Sequence, residues 1–277
     1  MAVSIIARAA IAALLLSGPA CAEGPPHLGV QGRGAYADYL AARDHRAFAI
    51  APGGGWGWDS GAATRGDAEE TALGACRDNS EQTCVLYSVD GRPSFDAKAW
   101  PHLWGPYADA AAARRAAVGH QRGQRFPDLG FAASDGRKLS VSAWRGKVLV
   151  LHFWGSWCGP CRREMPDLQK LYQALRGHPD IEFVLLQARE NFATSRQWTQ
   201  AQQLALPFYD SGSAGRDDAW LRTADGGRIA DREIAMSFPT TYVIDKRGLV
   251  VFSHPGPVAD WSEYRDFLLD VARRSGR

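Results

Sequence analysis

Beyond its first two dozen residues the 277-residue chain has no long apolar run. Nothing there approaches the roughly 18 consecutive apolar residues of a membrane-spanning helix. Charge of one sign is equally scarce: 32 Lys and Arg face 30 Asp and Glu, for a formal net charge of +2. That balance gives no argument for nucleic acid or an acidic membrane surface as partner. Cysteine is sparse, five in all, and no His or Cys cluster has the spacing of a closed zinc site. No metal ligand set and no cofactor motif is found.

What is present begins at the N-terminus. Arg8, the apolar run Ala9 to Leu16, and Ala20-Cys21-Ala22 are the three parts of a secretory signal, predicting cleavage after Ala22 and an exported, periplasmic protein. A lipidated Cys21 is the alternative. Gly18 stands three residues before it, where lipoprotein signals usually carry Leu, so this ranks lower. Cleavage leaves Cys76, Cys84, Cys158 and Cys161, two close pairs in a compartment that permits disulfides. The remaining length predicts about two domains.

Residues 34–118 read as a small α+β domain. Ala35 to Arg43 is a short helix, and "RAFAIAPGGGWGWDSG" is two strands around a Pro52–Gly55 turn. Asp67 and Glu70 predict a capping box for a helix from Ala68 to about Arg77. A strand from Cys84 ends in Asp90-Gly91. Cys76 at a helix end and Cys84 at a strand start fit a structural disulfide, a staple contributing about 2–4 kcal/mol. Trp56 and Trp58 share one strand face, as core residues or as a partner-binding surface. This stretch resembles a small domain of unknown function in secreted bacterial proteins. Tyr107 to Val118 reads as helical, and the polar, Gly-containing 119–125 as a linker.

Residues 126–277 read as α/β with helices on both sheet faces. Lys147 to Trp154 is a nearly continuous apolar run, the pattern of a strand buried on both sides. Met165, Leu168, Leu171, Tyr172 and Leu175 then recur at helical spacing. Strands at 181–186, 240–244 and 248–254 and helices at 192–206 and 264–274 complete the set. Cys158 lies where the buried strand turns into the helix. There the free N–H groups and the helix dipole favour a thiolate, lowering its pKa and making Cys158 the attacking sulfur. Cys161, one turn deeper, is placed to resolve a mixed disulfide. A three-residue loop makes a poor staple, and zinc would need a second ligand pair. The pair reads as a working dithiol.

"FWGSWCGPCRREMP", the preceding "FPDLGFAASDGRKLSVSAWRGKVLVLHF" and the later "MSFPTTYVIDKRG" resemble the TlpA/ResA-like branch of thioredoxin-fold proteins, across nearly all of 126–277. The resemblance implies an exported thiol–disulfide oxidoreductase without an added cofactor. Its substrates would be exported protein disulfides, such as those of apocytochrome c or a copper protein. It makes Cys158 the nucleophile, Cys161 the resolving cysteine and Pro239 the active-site cis-proline, which presents the Phe238 backbone to a bound peptide. Trp157 would shape the substrate surface. Glu164 matches a carboxylate assisting proton transfer in some members, with a solvated helix-face carboxylate as the alternative. His152 departs from the Asp or Asn usual at its position, and reads as a proton-exchanging imidazole or a satisfied core histidine. Segment 211–235, polar and longer than its connection needs, would flank the site and select substrates, or form a disordered excursion. Gly159-Pro160 is thioredoxin's own dipeptide, which favours a reductase fed by a membrane electron donor. A thiol peroxidase would need Thr/Ser-x-x-Cys, absent here. A copper-delivery protein would need C-x-x-x-C, one residue longer.

Overall fold

The computed structural model describes residues 24–276, so the predicted signal, with Cys21, lies outside the described residues. The N-terminal lobe comprises α1 (Val30–Ala41), β1 (Ala47–Ile50), β2 (Trp56–Asp59), α2 (Arg65–Asp78), β3 (Val85–Val89), β4 (Arg92–Pro93) and α3 (Ala110–Arg115). Its antiparallel sheet runs β2-β1-β3-β4. The expected hairpin is present: Ile50 pairs with Trp56, and Gly53 and Gly54 take the positive φ the turn requires.

One face of this sheet is built from small residues, Ala47, Ala49 and Ala51 against Ala68, Ala72 and Cys76 of α2. Helix and sheet approach so closely that a Cβ on Gly57 would lie 2.3 Å from the Cys76 nitrogen. Helix α2 starts earlier than the sequence suggested. Thr64 is its N-cap and forms the capping box with Asp67, so the expected Asp67/Glu70 box is displaced by one turn. The Thr64 hydroxyl satisfies the Asp67 N–H and draws Asp67 inside the helix. Cys76, in the last turn, is bonded to Cys84. Helix α3 spans only part of 107–118, because Ala116 leaves the helical region and the chain turns to pair Val118 with Arg125.

The opposite sheet face joins the rest of the molecule. Phe48 and Ile50, with half-buried Trp56 and Trp58, pack with Tyr39, Trp100 and Trp104 into one core shared with Phe252, Tyr264 and Phe267. Trp104 stacks on Phe252 at 4.4 Å. Residues 119–125 run along the edge of the larger sheet: Gly123 N–H donates to Val250 O (2.8 Å) and Val250 N–H to Gln124 O (2.9 Å). These bonds cover the edge strand at Val250, blunting it against pairing there.

The C-terminal lobe continues with β5 (Gly130–Ala132), β6 (Lys138–Ser140), β7 (Val148–Trp154), α4 (Gly159–Leu175), β8 (Ile181–Gln187), α5 (Phe192–Ala201), β9 (Phe208–Tyr209), β10 (Trp220–Arg222), β11 (Arg228–Ala230), α6 (Asp231–Ile234), β12 (Thr240–Ile244), β13 (Val250–Pro255) and α7 (Arg265–Arg274). Its five-stranded sheet has the order β13-β12-β7-β8-β9. Strands β7, β8 and β9 are parallel, and β12 is antiparallel to both neighbours. Val148, Val150 and Trp154 face the core of α4 and α7, while Leu149, Leu151 and Phe153 face the second core with Ile234 of α6. This two-sided burial is why β7 reads as an unbroken apolar run.

Segment 211–235 is ordered structure rather than an excursion. From β9 at one edge the chain must return across β8 and β7 to β12. On the way Leu221, Ile234 and Ala235 close the second core. Polar and glycine residues between these few inward positions hide them in the sequence. No helix among the described residues is long and apolar enough to cross a membrane.

Candidate active site

Strand β7 delivers the chain to Gly155, and Cys158 is the N-cap of α4, with extended backbone angles and its Sγ accepting from Cys161 N–H at 3.2 Å. Pro160 occupies the first turn, where its missing N–H is no loss and its φ suits the helix. The two sulfurs are bonded, so this is the oxidised state. Cys158 is 4% exposed and Cys161 is fully buried. Only the first sulfur can meet a partner. The unpaired N–H groups of the first turn favour a developing negative charge on it.

The Phe238–Pro239 peptide is cis. Its Phe238 carbonyl oxygen lies 3.4 Å from Cys158 Sγ, within reach of the thiol proton in the reduced protein. Thus the loop before β12, which begins at Thr240, brings the Phe238 backbone beside the nucleophile. Trp157 is 45% exposed, meets Phe238 edge-on at 5.4 Å, and donates Nε1–H to Ala188 O (2.9 Å). Met236, 75% exposed, and the Arg232 guanidinium over the Phe238 ring extend this surface. Segment 211–235 thus ends in α6, beside the cis-proline loop.

Behind the dithiol, His152 of β7 and Glu164 of α4 are both buried, with His152 Nε2 and Glu164 Oε1 3.4 Å apart. Neither atom has a hydrogen-bond partner among the described residues. The distance allows one proton to be shared but is long for a fully formed bond. His152 Nδ1 lies 2.9 Å from Thr241 Oγ1. Glu164 Oε2 accepts from Val258 N–H (3.0 Å) and Trp261 Nε1–H (3.3 Å). Burial pushes the Glu164 carboxyl up to about 8 despite those two donors. It pushes His152 down to about 3. Both groups are therefore neutral at pH 7, with the proton on the carboxyl.

Every residue the sequence singled out in this lobe lies in or directly behind this one region. Sequence reading missed Glu190, whose carboxylate accepts from Ser156 N–H (2.7 Å) and Oγ–H, fixing the turn before Cys158. It also missed Thr241, Val258 and Trp261. Glu190 follows the C-terminal end of β8, the end of a parallel sheet where sites collect, and that position was the available signal. Cys76–Cys84 lies in the other lobe, pinning α2 to β3. Among the described residues no group of three or more His, Cys, Asp or Glu is arranged to hold a metal ion.

Residues 121–268 match the Redoxin family. Thioredoxin-like protein YneN of Bacillus subtilis is 31% identical over 140 residues, covering 50% of this chain and 74% of that protein. Thiol-disulfide oxidoreductase ResA of Geobacillus thermodenitrificans is 30% identical over 128 residues, covering 46% and 66%. A secreted thiol-disulfide isomerase from Corynebacterium glutamicum has a solved structure that is 22% identical, with 55% of this chain and 86% of that one covered and a TM-score of 0.43. With a strand-to-helix Cys-x-x-Cys and a cis-proline at its sulfur, the chain belongs to the Redoxin family and is a ResA-like thiol–disulfide oxidoreductase of the thioredoxin superfamily.

Proposed function

We propose that this protein is a periplasmic reductase of protein disulfides. The observation that carries the reading is the position of Cys158 Sγ, capping α4 and 3.4 Å from the carbonyl before the cis-proline. In the reduced protein the Cys158 thiolate attacks one sulfur of a substrate disulfide. That bond breaks, and the first substrate thiolate leaves and takes a proton. The Cys161 thiol, once deprotonated, attacks Cys158 and expels the second substrate thiolate. Two electrons pass to the substrate, and the protein is left with the Cys158–Cys161 disulfide. A dithiol partner in the membrane would restore the reduced form.

Phe238 and Pro239 offer backbone to the bound peptide, and Trp157 shapes its docking surface. Glu164, one turn beyond Cys161, receives the Cys161 proton. His152 holds the paired carboxyl in position and shares its proton. A carboxyl titrating near 8 can exchange protons near neutral pH, the property such a step requires. The Gly159-Pro160 dipeptide supports the reducing direction, since thioredoxin itself sits near about −270 mV. The substrate class is exported polypeptides whose cysteines must be kept reduced, those of haem-attachment or copper sites. The domain division belongs to the same reading: a disulfide-pinned lobe of residues 34–118, a connector of 119–125, and a redox lobe of 126–277. The test is the reduction potential of Cys158–Cys161 together with trapping of mixed disulfides on Cys161→Ser. A strongly oxidising potential near about −120 mV, or no trapped exported protein, would overturn the reductase reading.

A further inference from the structure

The N-terminal lobe supplies none of the side chains assigned to dithiol exchange, yet one of its edges adjoins the redox lobe beside the cis-proline loop. A cavity of about 640 Å³ opens between the Pro52–Trp56 turn, the end of α2 with residues 79–82, and the end of β13. Its β13 wall is close to the chemistry. Pro255 pairs with Thr240, the residue after the cis-proline, and Gly256 N–H donates to Pro239 O at 2.7 Å. Two or three extended residues, at about 3.3 Å each, bridge the cis-proline loop and the cavity.

The cavity is rich in acceptors. Gln82 is 5% exposed; its Nε2–H donates to Ser253 O (3.3 Å), which fixes the amide, while Oε1 has no partner among the described residues. An orphaned buried carbonyl of this kind is costly unless something donates to it. His254 lies within hydrogen-bond reach of Pro257 O through Nε2 (3.3 Å), which places the proton there and leaves Nδ1 an acceptor. Burial keeps this imidazole neutral. One carboxylate oxygen of Glu81 accepts from Ser253 Oγ–H, and the other has no hydrogen-bond donor among the described residues. Exposed Arg77 and Asp78 offset each other beside it. Trp56 supplies an aromatic wall. The triple glycine keeps the space open: a Cβ on Gly53 would stand 3.4 Å from His254 Nδ1, and one on Gly55 would collide with Ser80 at 2.5 Å.

We infer that this inter-lobe cavity binds a guanidinium or ammonium side chain of the substrate polypeptide, so that the N-terminal lobe selects substrates carrying Arg or Lys a few residues from the reacting cysteine. A donor-rich cation is the complement of a neutral amide oxygen, an imidazole nitrogen and a carboxylate gathered beside an aromatic ring. The inference rests on the oxidoreductase reading and adds a recognition element to it.

The test uses the full chain and eleven-residue peptides whose central cysteine carries a thionitrobenzoate mixed disulfide. A single arginine is scanned two to five residues to either side, each peptide paired with its citrulline counterpart. At one offset arginine lowers KM about tenfold relative to citrulline with kcat unchanged, the effect of one hydrogen bond to a charged group. Gln82→Leu and Glu81→Gln each remove that preference. Glu81 is exposed, so its variant keeps the test decisive should Gln82→Leu unfold the lobe. The inference is overturned if no offset prefers arginine, or if both variants keep the preference. The small disulfide of thionitrobenzoate, too small to reach the cavity, is reduced at the same rate by all three proteins. Loss of that control reaction in the unmodified protein would instead count against the oxidoreductase reading. In that event, isothermal titration with the serine-for-cysteine versions of the same peptide pairs reads the cavity directly, and equal affinities would overturn the inference.

Discussion

His152 Nε2 and Glu164 Oε1 face each other at 3.4 Å, on a strand and a helix, with both side chains closed to solvent. Each group is held by neutral donors or acceptors on its far side, and no third charge among the described residues is in hydrogen-bond contact with the pair. Burial therefore acts on both in the direction of neutrality. The result is a carboxylic acid, not a carboxylate, one helical turn from the resolving cysteine.

A stability profile follows from these shifts. The Glu164 carboxyl titrates at about 8 in the folded protein against 4.5 ordinarily, so the native state holds the extra proton between those values. Stability from this group is complete below about pH 4.5 and is lost as pH rises through 8. His152 and His27, both lowered to about 3 from 6.5, act oppositely: their contribution grows as pH rises from 3 to 6.5 and is then complete. From pH 6.5 to 8 the histidine effects are finished and the Glu164 decline remains. Urea midpoints of the unmodified protein should fall across that window, and those of Glu164→Gln should stay level. An equal decline in both proteins would remove Glu164 as its cause.

The same group predicts the pH dependence of exchange. Accepting the Cys161 proton requires the ionised carboxylate, whose fraction grows as pH rises toward 8, so resolution should accelerate over that range. Glu164→Gln should slow resolution about a hundredfold, the low end for losing a positioned base, and flatten the profile. His152→Asn should shift the profile, and the double variant should lose less than the two singles combined, as for groups acting as a unit. Stopped-flow fluorescence of the reduced protein with a peptide disulfide reads both effects. Wild-type rates in both single variants across about pH 5–8 would return these residues to structural roles.

The two disulfides should separate on reduction. Cys76–Cys84 joins α2 to β3 with Cys76 fully buried, whereas Cys158 keeps a sliver of exposure, 4%, at a helix N-cap beside exposed Trp157. Stepwise dithiothreitol with mass-spectrometric thiol mapping should show the second pair opening first and Cys158 alkylated well before Cys161. Equal reduction of the two pairs would undo the structural assignment of the first.

Packing in the N-terminal lobe gives a paired test. Gly57→Ala drives a Cβ into the α2 backbone and should destabilise by at least about 1–3 kcal/mol. Gly74→Ala, in the interior of α2 with nothing within 4 Å of the new Cβ, should stabilise by roughly 0.5–1 kcal/mol. Urea unfolding with unchanged m-values reads both. A neutral Gly57→Ala would mean that the helix can move off the sheet.

What the sequence determined is local. The apolar run of β7 announced a strand buried on both faces, Cys158 to Pro160 a helix start, and the period of Met165 to Leu175 the buried side of α4. Each signal lies within one element, where side-chain periodicity and capping chemistry act over a few residues. The same locality placed Cys161 and Glu164 one turn apart. Tertiary structure decided the rest. Thr241, Val258 and Trp261 reach His152 and Glu164 from 89, 94 and 97 residues away, distances over which no periodicity carries information. The role of 211–235 became visible only once β9 and β12 were known to lie three strands apart, since the return path fixes which of its few apolar residues face inward. The two lobes likewise share a core because Phe48 and Trp104 bury aromatic surface that neither lobe covers alone, and aromatic area is satisfied by any apolar partner the chain path brings near.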